Sequence, residues 1–511
     1  GAAASSDAGL GGKLQNEGAI EFATRTCERL GRYSGNEVAW HRAGKQILED
    51  SKFSEMGVGD LKSLVRVLVD DVGFTQASFW VDMTRKVDLV LKSADFVDLL
   101  ELASLYTKIQ AFACEEVFRA TITKVRVDMA MHTMQPASLT KLLGIFGRAG
   151  SASKRLSPVA SQLFNEMEAR VLEEAGDFEV EGDLSALQRD FKVEDCISLV
   201  ESMARFRAEK TAVLQLLGRE ILHPGLATLP GPKISAVCHA YGELGWRHDT
   251  VFRDVAAAIL GEHEAVQRAR ALGQATLPQV KYSASDIALV TLAMLRLKMY
   301  RGDTAWFRWG ESYRELLDVL TRRLDDELPK MQARPLAAAA FVLGRARRGT
   351  EELYKAMYAR MMVLLEAKDE ESLSKEPIYG SEDPPQGELE RFLHGLSMMG
   401  PTRQKDLDTQ WLMEWLCKNL FTFYLSDFIL VNRHLVALRC YDREYLQNLV
   451  AFYCEDDQAK QLKKSDVMEL TNTYNGARIR EEDIPDGLGR HFFWMLGRRF
   501  QKLQAEAQGG R

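Results

Sequence analysis

The sequence predicts an all-α protein, an α-solenoid of stacked antiparallel helix pairs with about nine or ten repeats. Three observations carry that expectation. Apolar residues recur at helical spacing along most of the chain, and no sustained run alternates apolar with polar residues as a half-buried strand does. Gly and Pro fall mainly between the helical stretches. One pattern also returns: an acidic or Ser-type start, an apolar helix, a turn of small and basic residues, then a second helix with aromatic and aliphatic anchors. A lone amphipathic helix cannot bury its stripe. Stacked pairs bury each other's.

Residues 1–16 are rich in Ala, Ser and Gly and open on Gly1 rather than Met, as in a trimmed chain or one that has lost a leader. They are expected to be flexible. A helical-repeat array is expected over 17–367, beginning with a degenerate pair across Glu17–Asp50. Further pairs begin near Asp60, Asp95, Ser138 and Glu194. The clearest pair is Lys233–Leu260. Ile234, Val237, Tyr241 and Leu244 share one face of its first helix, and Gly245 closes that helix as a C-cap does. Phe252, Val255 and Ile259 stripe its second helix. Another pair begins near Arg334, after which Lys368–Gly387, acidic and containing Pro384-Pro385, reads as a mobile loop or hinge. Loop-like insertions are also expected at Glu173–Asp190 and Gly261–Tyr282. C-terminal helical repeats follow over 388–505, with copies starting near Glu388 and Ser426, and a tail at 506–511. Ser-Asp at 285-286, 426-427 and 465-466 precedes apolar residues each time, and these side chains suit a helix N-terminus.

Bulk properties narrow the function. The net charge is −7, against the basic balance of an autonomous nucleic-acid binder, although a local basic stripe is compatible with it. The most apolar runs, Ile287–Leu295 and Leu336–Gly344, are far shorter than the roughly 20 residues a membrane span needs, so no span is expected. Seven scattered cysteines form no C-x-x-C pair and read as buried thiols of a reducing compartment.

No set of residues signals catalysis. There is no H-E-x-x-H, no Cys/His zinc spacing, no Walker loop, no G-x-G-x-x-G and no G-x-S-x-G elbow. Of the nine histidines, His239 sits mid-helix and is expected as a satisfied core residue. Paired acids such as Asp325-Asp326 and Glu481-Glu482 fall at helix ends and loops, as solvated faces do. No catalytic residue, cofactor or metal site is expected.

The turn between the helices of a pair repeats most closely: Phe146-Gly147-Arg148-Ala149, Met203-Ala204-Arg205-Phe206, Tyr241-Gly242-Glu243-Leu244, Met294-Leu295-Arg296-Leu297, Leu343-Gly344-Arg345-Ala346 and Ala437-Leu438-Arg439-Cys440. With the leading apolar helix, best seen in Ile234–Asp249, this resembles the heptatricopeptide-type repeats of the FAST-kinase-like organellar family, over about Asp95–Cys454. The resemblance implies an α-solenoid of mitochondria or plastids, here expected in the mitochondrial matrix, that acts in RNA processing or stability or as a component of a divergent mitochondrial ribosome. Two features depart from it. No RAP domain is visible at the C-terminus, where Ser465–Ala505 reads as another helix pair, and one turn carries Glu243 where the others carry Arg.

If the turn cations occupy corresponding points of successive repeats, they line one edge. The candidate RNA-contacting set is Arg148, Arg205, Arg207, Lys210, Arg296, Lys298, Arg345, Arg347, Arg348 and Arg439, with Arg498 and Arg499 in a C-terminal patch interleaved with Phe492, Phe493, Trp494 and Phe500. The same cations have a purely structural reading: a basic residue in the last helical turn complements the macrodipole, or pairs with an acid of the next repeat. The expected function is a non-catalytic RNA-associated protein, most concretely a mitochondrial ribosome component holding rRNA and neighbouring proteins, with no DNA partner. The alternative is a protein-only scaffold of a respiratory or ATP-synthase complex, which the aromatics Trp306, Trp309, Trp411 and Trp415 suit.

Overall fold

In the computed structural model the described residues are 18–33, 36–49, 53, 56–109, 111–127, 134–153, 155–175, 191–218, 228–274, 276, 278–301, 309–366, 387–398, 410–418, 425–484 and 487–509. Among them every regular element is a helix. The expected loop at 368–387, save Gly387, and the expected flexible residues 1–16 lie outside the described residues, as does Trp306.

The chain divides into two compact units, Gly1–Leu222 and His223–Arg511. The division falls inside the stretch read as one continuous array. It does not fall at the acidic segment, both of whose flanking helices belong to the second unit.

The first unit contains α1 (Ala19–Leu30), α2 (Glu37–Glu49), α3 (Val58–Arg66), α4 (Ala77–Lys86), the short α5 (Asp88–Ser93), α6 (Phe96–Lys108), α7 (Glu115–Val127), α8 (Pro136–Ala152), α9 (Ser157–Ala175), α10 (Val193–Phe206) and α11 (Thr211–Leu217). An inner row forms as α3 packs on α1, α6 on α3, α8 on α6 and α10 on α8. The helices between them form the outer layer, with α4 against α2 and α7, and α9 against α11. A T-shaped aromatic chain (Phe74, Phe79, Trp80 and Tyr106) knits the first pairs together.

The second unit repeats the plan. Its helices are α12 (Gly231–Glu243), α13 (Asp249–Ala271), α14 (Ala284–Arg296), α15 (Trp309–Glu327), α16 (Ala333–Ala346), α17 (Glu351–Glu366), α18 (Glu388–Ser397), α19 (Gln410–Lys418), α20 (Leu425–Ala437), α21 (Arg443–Cys454), the short α22 (Asp456–Gln461), α23 (Lys464–Gly476) and α24 (Leu488–Gly509). Six inner helices (α12, α14, α16, α18, α20 and α23) pack in that order, each on the next. They all run in the same direction, because an outer helix returns the chain between each two. The protein is thus an all-α repeat protein of stacked antiparallel pairs, as the periodicity predicts.

Two expectations shift. Gly261–Ala271 is helical, because α13 continues unbroken through it. The final helix reaches Gly509, through most of the expected tail.

Close inner packing has a sequence cause. The row is rich in small residues. A Cβ on Gly344 would meet the Gly395 carbonyl oxygen at 2.0 Å, and one on Gly395 would meet the Ala340 carbonyl at 2.4 Å, so α16 and α18 touch backbone to backbone. Gly242 on α12 approaches Ala293 on α14 in the same way. Ala337–Ala340 of α16 are all buried. No helix is long and apolar enough to cross a membrane among the described residues, and the two apolar runs are the buried cores of α14 and α16.

Candidate functional site

Four inner helices of the second unit, α14, α18, α20 and α23, carry an acid in the first turn. In α14 and α23 a carboxylate at the third helical position sets that turn. Asp286 accepts from the Ser283 backbone N–H at 2.9 Å and from the Ser283 hydroxyl at 2.7 Å. Asp466 accepts from the Lys463 N–H at 2.9 Å. The capping residue is therefore Ser283 rather than Ser285, and in Ser465-Asp466 it is the acid, inside the helix, that reaches back. Asp286 also accepts from Ser235 Oγ at 2.7 Å, which ties α12 to α14.

At α12, α14, α16, α20 and α23 the C-terminal end is closed by a residue in the left-handed conformation. In α12 that residue is Gly245, at φ +66°. At the equivalent place stand Lys298 (φ +55°), Arg347 (φ +52°), Arg439 (φ +55°) and Arg478 (φ +54°). The hydrogen bonds are those of a Schellman closure: for example, Arg347 N donates to Gly344 O at 3.0 Å and Arg348 N to Leu343 O at 3.0 Å. The following Met299, Cys440 and Ile479 are buried. Lys298, Arg347, Arg439 and Arg478 are all exposed, and among the described residues none makes an ion pair. Because the inner helices run the same way, these four cations stand along one rim of the unit. Arg207 takes the same role at the end of α10 in the first unit, with φ +53°.

This register corrects the sequence alignment of the turns. Arg439 corresponds to Lys298 and Arg347, not to Arg296 and Arg345. Arg148 lies inside α8, which continues to Ala152. Arg205, Arg296 and Arg345 do share a position two residues before the closing residue, where α12 carries Glu243. There the departure is explained: Arg296 forms an ion pair with Glu243 of the preceding repeat. Three other candidates are also engaged. Lys210 pairs with Glu168 at 2.9 Å, Arg348 pairs with Asp318, and Arg499 straps the chain before α23 by donating to the Lys460 and Leu462 carbonyls. Arg498 is exposed and lies over the Trp494 ring, 4.7 Å from its centroid. Arg345 is exposed at the same rim as Arg347. Arg478 belongs to the rim set, although Asn475-Gly476-Ala477-Arg478 does not match the turn pattern.

A second arrangement is buried where α18 meets α20. Glu390 and His394, one helical turn apart on α18, face His434 on α20. His434 Nε2 lies 2.8 Å from Glu390 Oε1, and His394 Nδ1 lies 3.8 Å from the same oxygen. The two imidazoles stack with centroids 4.4 Å apart. Glu390 is 1% exposed and His434 7%. Burial and the neighbouring His434 push His394 below the ordinary imidazole range. Nearby Asp427 is pushed up to about 7 by burial and by Glu390, Glu388 and Asp466. The sequence offered only a Glu-x-x-x-His spacing here, since His434 lies 44 residues from Glu390.

His239 is a core residue, as expected, beside Glu243, but its Nε2 has no hydrogen-bond partner among the described residues, against the expectation that it is satisfied; burial holds it well below the usual imidazole range. Of the thiols, Cys114, Cys196, Cys238 and Cys440 are buried, whereas Cys417 is exposed.

The sequence matches no family model, and no curated protein matches it. Among solved structures, a circular tandem repeat protein with novel repeat topology and enhanced subunit contact surfaces aligns at 14% identity over 96% of this chain and 97% of that one, with a TM-score of 0.19. At that score the likeness supports no argument about shape or function, and the class of the chain, an all-α helical-repeat protein, rests on its own helices.

Proposed function

We propose that this is a non-catalytic helical-repeat protein that associates with RNA, its second unit following a phosphate backbone with the cations that close its inner helices. The observation that supports this reading is the use of Lys298, Arg347, Arg439 and Arg478 at left-handed positions. Such a backbone costs a side-chain-bearing residue about 1 kcal/mol or more, and glycine avoids the cost. Gly245 meets the same structural need in α12. Four exposed, unpaired cations in a costly conformation on one rim suit a charged ligand better than they suit folding. Neighbouring packed helices are spaced at about 8–10 Å, so the rim offers charges one or two helix spacings apart to an extended polyanion. The setting we propose is an organellar ribonucleoprotein, most concretely the mitochondrial ribosome that the repeat resemblance implies.

The test replaces all four cations by Gly in the full chain. Each exchange is expected to change stability by less than about 1 kcal/mol, since relief of strain is offset by a freer unfolded chain. Binding to ribosomal RNA fragments, followed by fluorescence anisotropy across a salt series, should weaken markedly. The slope of log affinity against log salt should fall by about 3. An unchanged slope, or no RNA binding by the unaltered chain, overturns the reading.

A protein-only scaffold has its own support. Arg296, Arg348 and Lys210 are matched by acids within the protein. An apolar groove of about 370 Å³ between α23 and α24, lined by Met468, Phe493, Leu496 and Phe500, is left open beside the half-exposed Met468. Co-purification with a large assembly from which no RNA crosslinks to the chain favours that alternative.

A further inference from the structure

We propose that Glu390, His394 and His434 bind a divalent first-row transition ion of the zinc class, clamping α18 to α20. One oxygen and two imidazole nitrogens meet there, with all three donor atoms within 4.8 Å of one another. That is a borderline donor set suited to zinc and its neighbours and not to calcium or magnesium, which take oxygen. Hydrogen bonding within the cluster accounts for one oxygen only. Glu390 Oε1 faces His434 Nε2 at 2.8 Å, while Glu390 Oε2 and His394 Nδ1 are buried and have no hydrogen-bond partner. A buried carboxylate of this kind is ordinarily paired or bound to a metal. An ion drawing on both histidines gives each of these atoms a partner. It needs the two stacked rings to turn apart, so that the in-plane lone pairs of both nitrogens face a common point.

The charge around the cluster is mixed. Glu388, itself paired with Arg334, and Asp427 stand close to Glu390, while Arg345 and Arg433 face the His394 side. Phe341 packs edge-on against the His394 ring at 5.2 Å and limits its swing. Glu390 and His434 are buried, whereas the His394 side chain is 30% exposed, which gives the ion a path in. Three protein ligands leave one coordination position for water or for a partner's side chain.

The experiment uses the full chain, stripped with a chelator and dialysed against zinc or cobalt(II). The expected result is one ion bound per chain by elemental analysis, a visible cobalt band of a low-symmetry nitrogen and oxygen site, and a zinc-dependent rise in melting temperature. His394→Ala and Glu390→Gln should each weaken binding by more than about 100-fold, beyond the loss typical of changing a group that only supports a ligand. His394 is partly exposed, so its variant remains foldable, and circular dichroism of the metal-free protein verifies this. No bound ion in the unaltered chain, or a bound ion indifferent to His394→Ala and His434→Ala, overturns the proposal. Neither outcome affects RNA binding through the rim, which uses other residues.

Discussion

Asp427 illustrates how a single side chain reports on the tertiary setting. It lies at the third position of α20, where the helix dipole favours a carboxylate, yet it is buried among Glu390, Glu388 and Asp466. Its pKa is raised to about 7 from 3.8. A raised carboxyl binds more protons in the folded than in the unfolded chain. The stability it contributes is therefore complete below about pH 4 and is lost as the pH rises through about 7. In chelator, the midpoint of urea unfolding should fall between pH 5 and pH 8. Asp427→Asn should flatten that dependence and leave the variant about 1–3 kcal/mol more stable than the unaltered chain at pH 8. An unaltered slope in the variant places the titration elsewhere. Residues such as Ser283 and Asp286 were partly legible in advance, because an N-terminal cap is a local motif. The exact capping residue was not, since Ser283 and Ser285 flank the same helix start.

At the scale of the element, the inner helices hold their spacing through small residues. Gly395 sits against the Ala340 backbone, which cannot move aside as a flexible side chain can. Gly395→Ala should gain helix propensity yet still destabilise by about 2–4 kcal/mol through overpacking. Gly261 on α13 is the control: nothing lies within 4 Å of a Cβ there, so Gly261→Ala should stabilise by about 0.5–1 kcal/mol. Chemical denaturation of the two variants tests both signs. Equal effects refute backbone contact between α16 and α18. Helix starts near Asp95, Ser138, Glu194, Arg334 and Glu388 were legible because caps and apolar stripes are local. Helix ends were less so. The sequence signal for a left-handed closure is glycine, and here a cation takes that conformation at four rim positions.

For the whole molecule, two compact units with their own cores predict more than one unfolding step. Calorimetry of the full chain should give a calorimetric enthalpy well above the van't Hoff value. Equality of the two requires strong coupling between the units. Within each unit, repeats touch mainly their neighbours, so the effects of core substitutions in distant repeats should add.

The sequence by itself determined the all-α class, the pairing of helices and the approximate start of most repeats. Each of these follows from periodicity and capping within a few tens of residues. Tertiary structure alone decided which cations stand free on a rim and which are taken up by acids, as Arg296 is by Glu243. It also decided that Glu390, His394 and His434 meet. Such meetings depend on the register between stacked helices, set by backbone contacts at Gly344 and Gly395. That register is a property of surfaces far apart in the chain, and no local pattern encodes it.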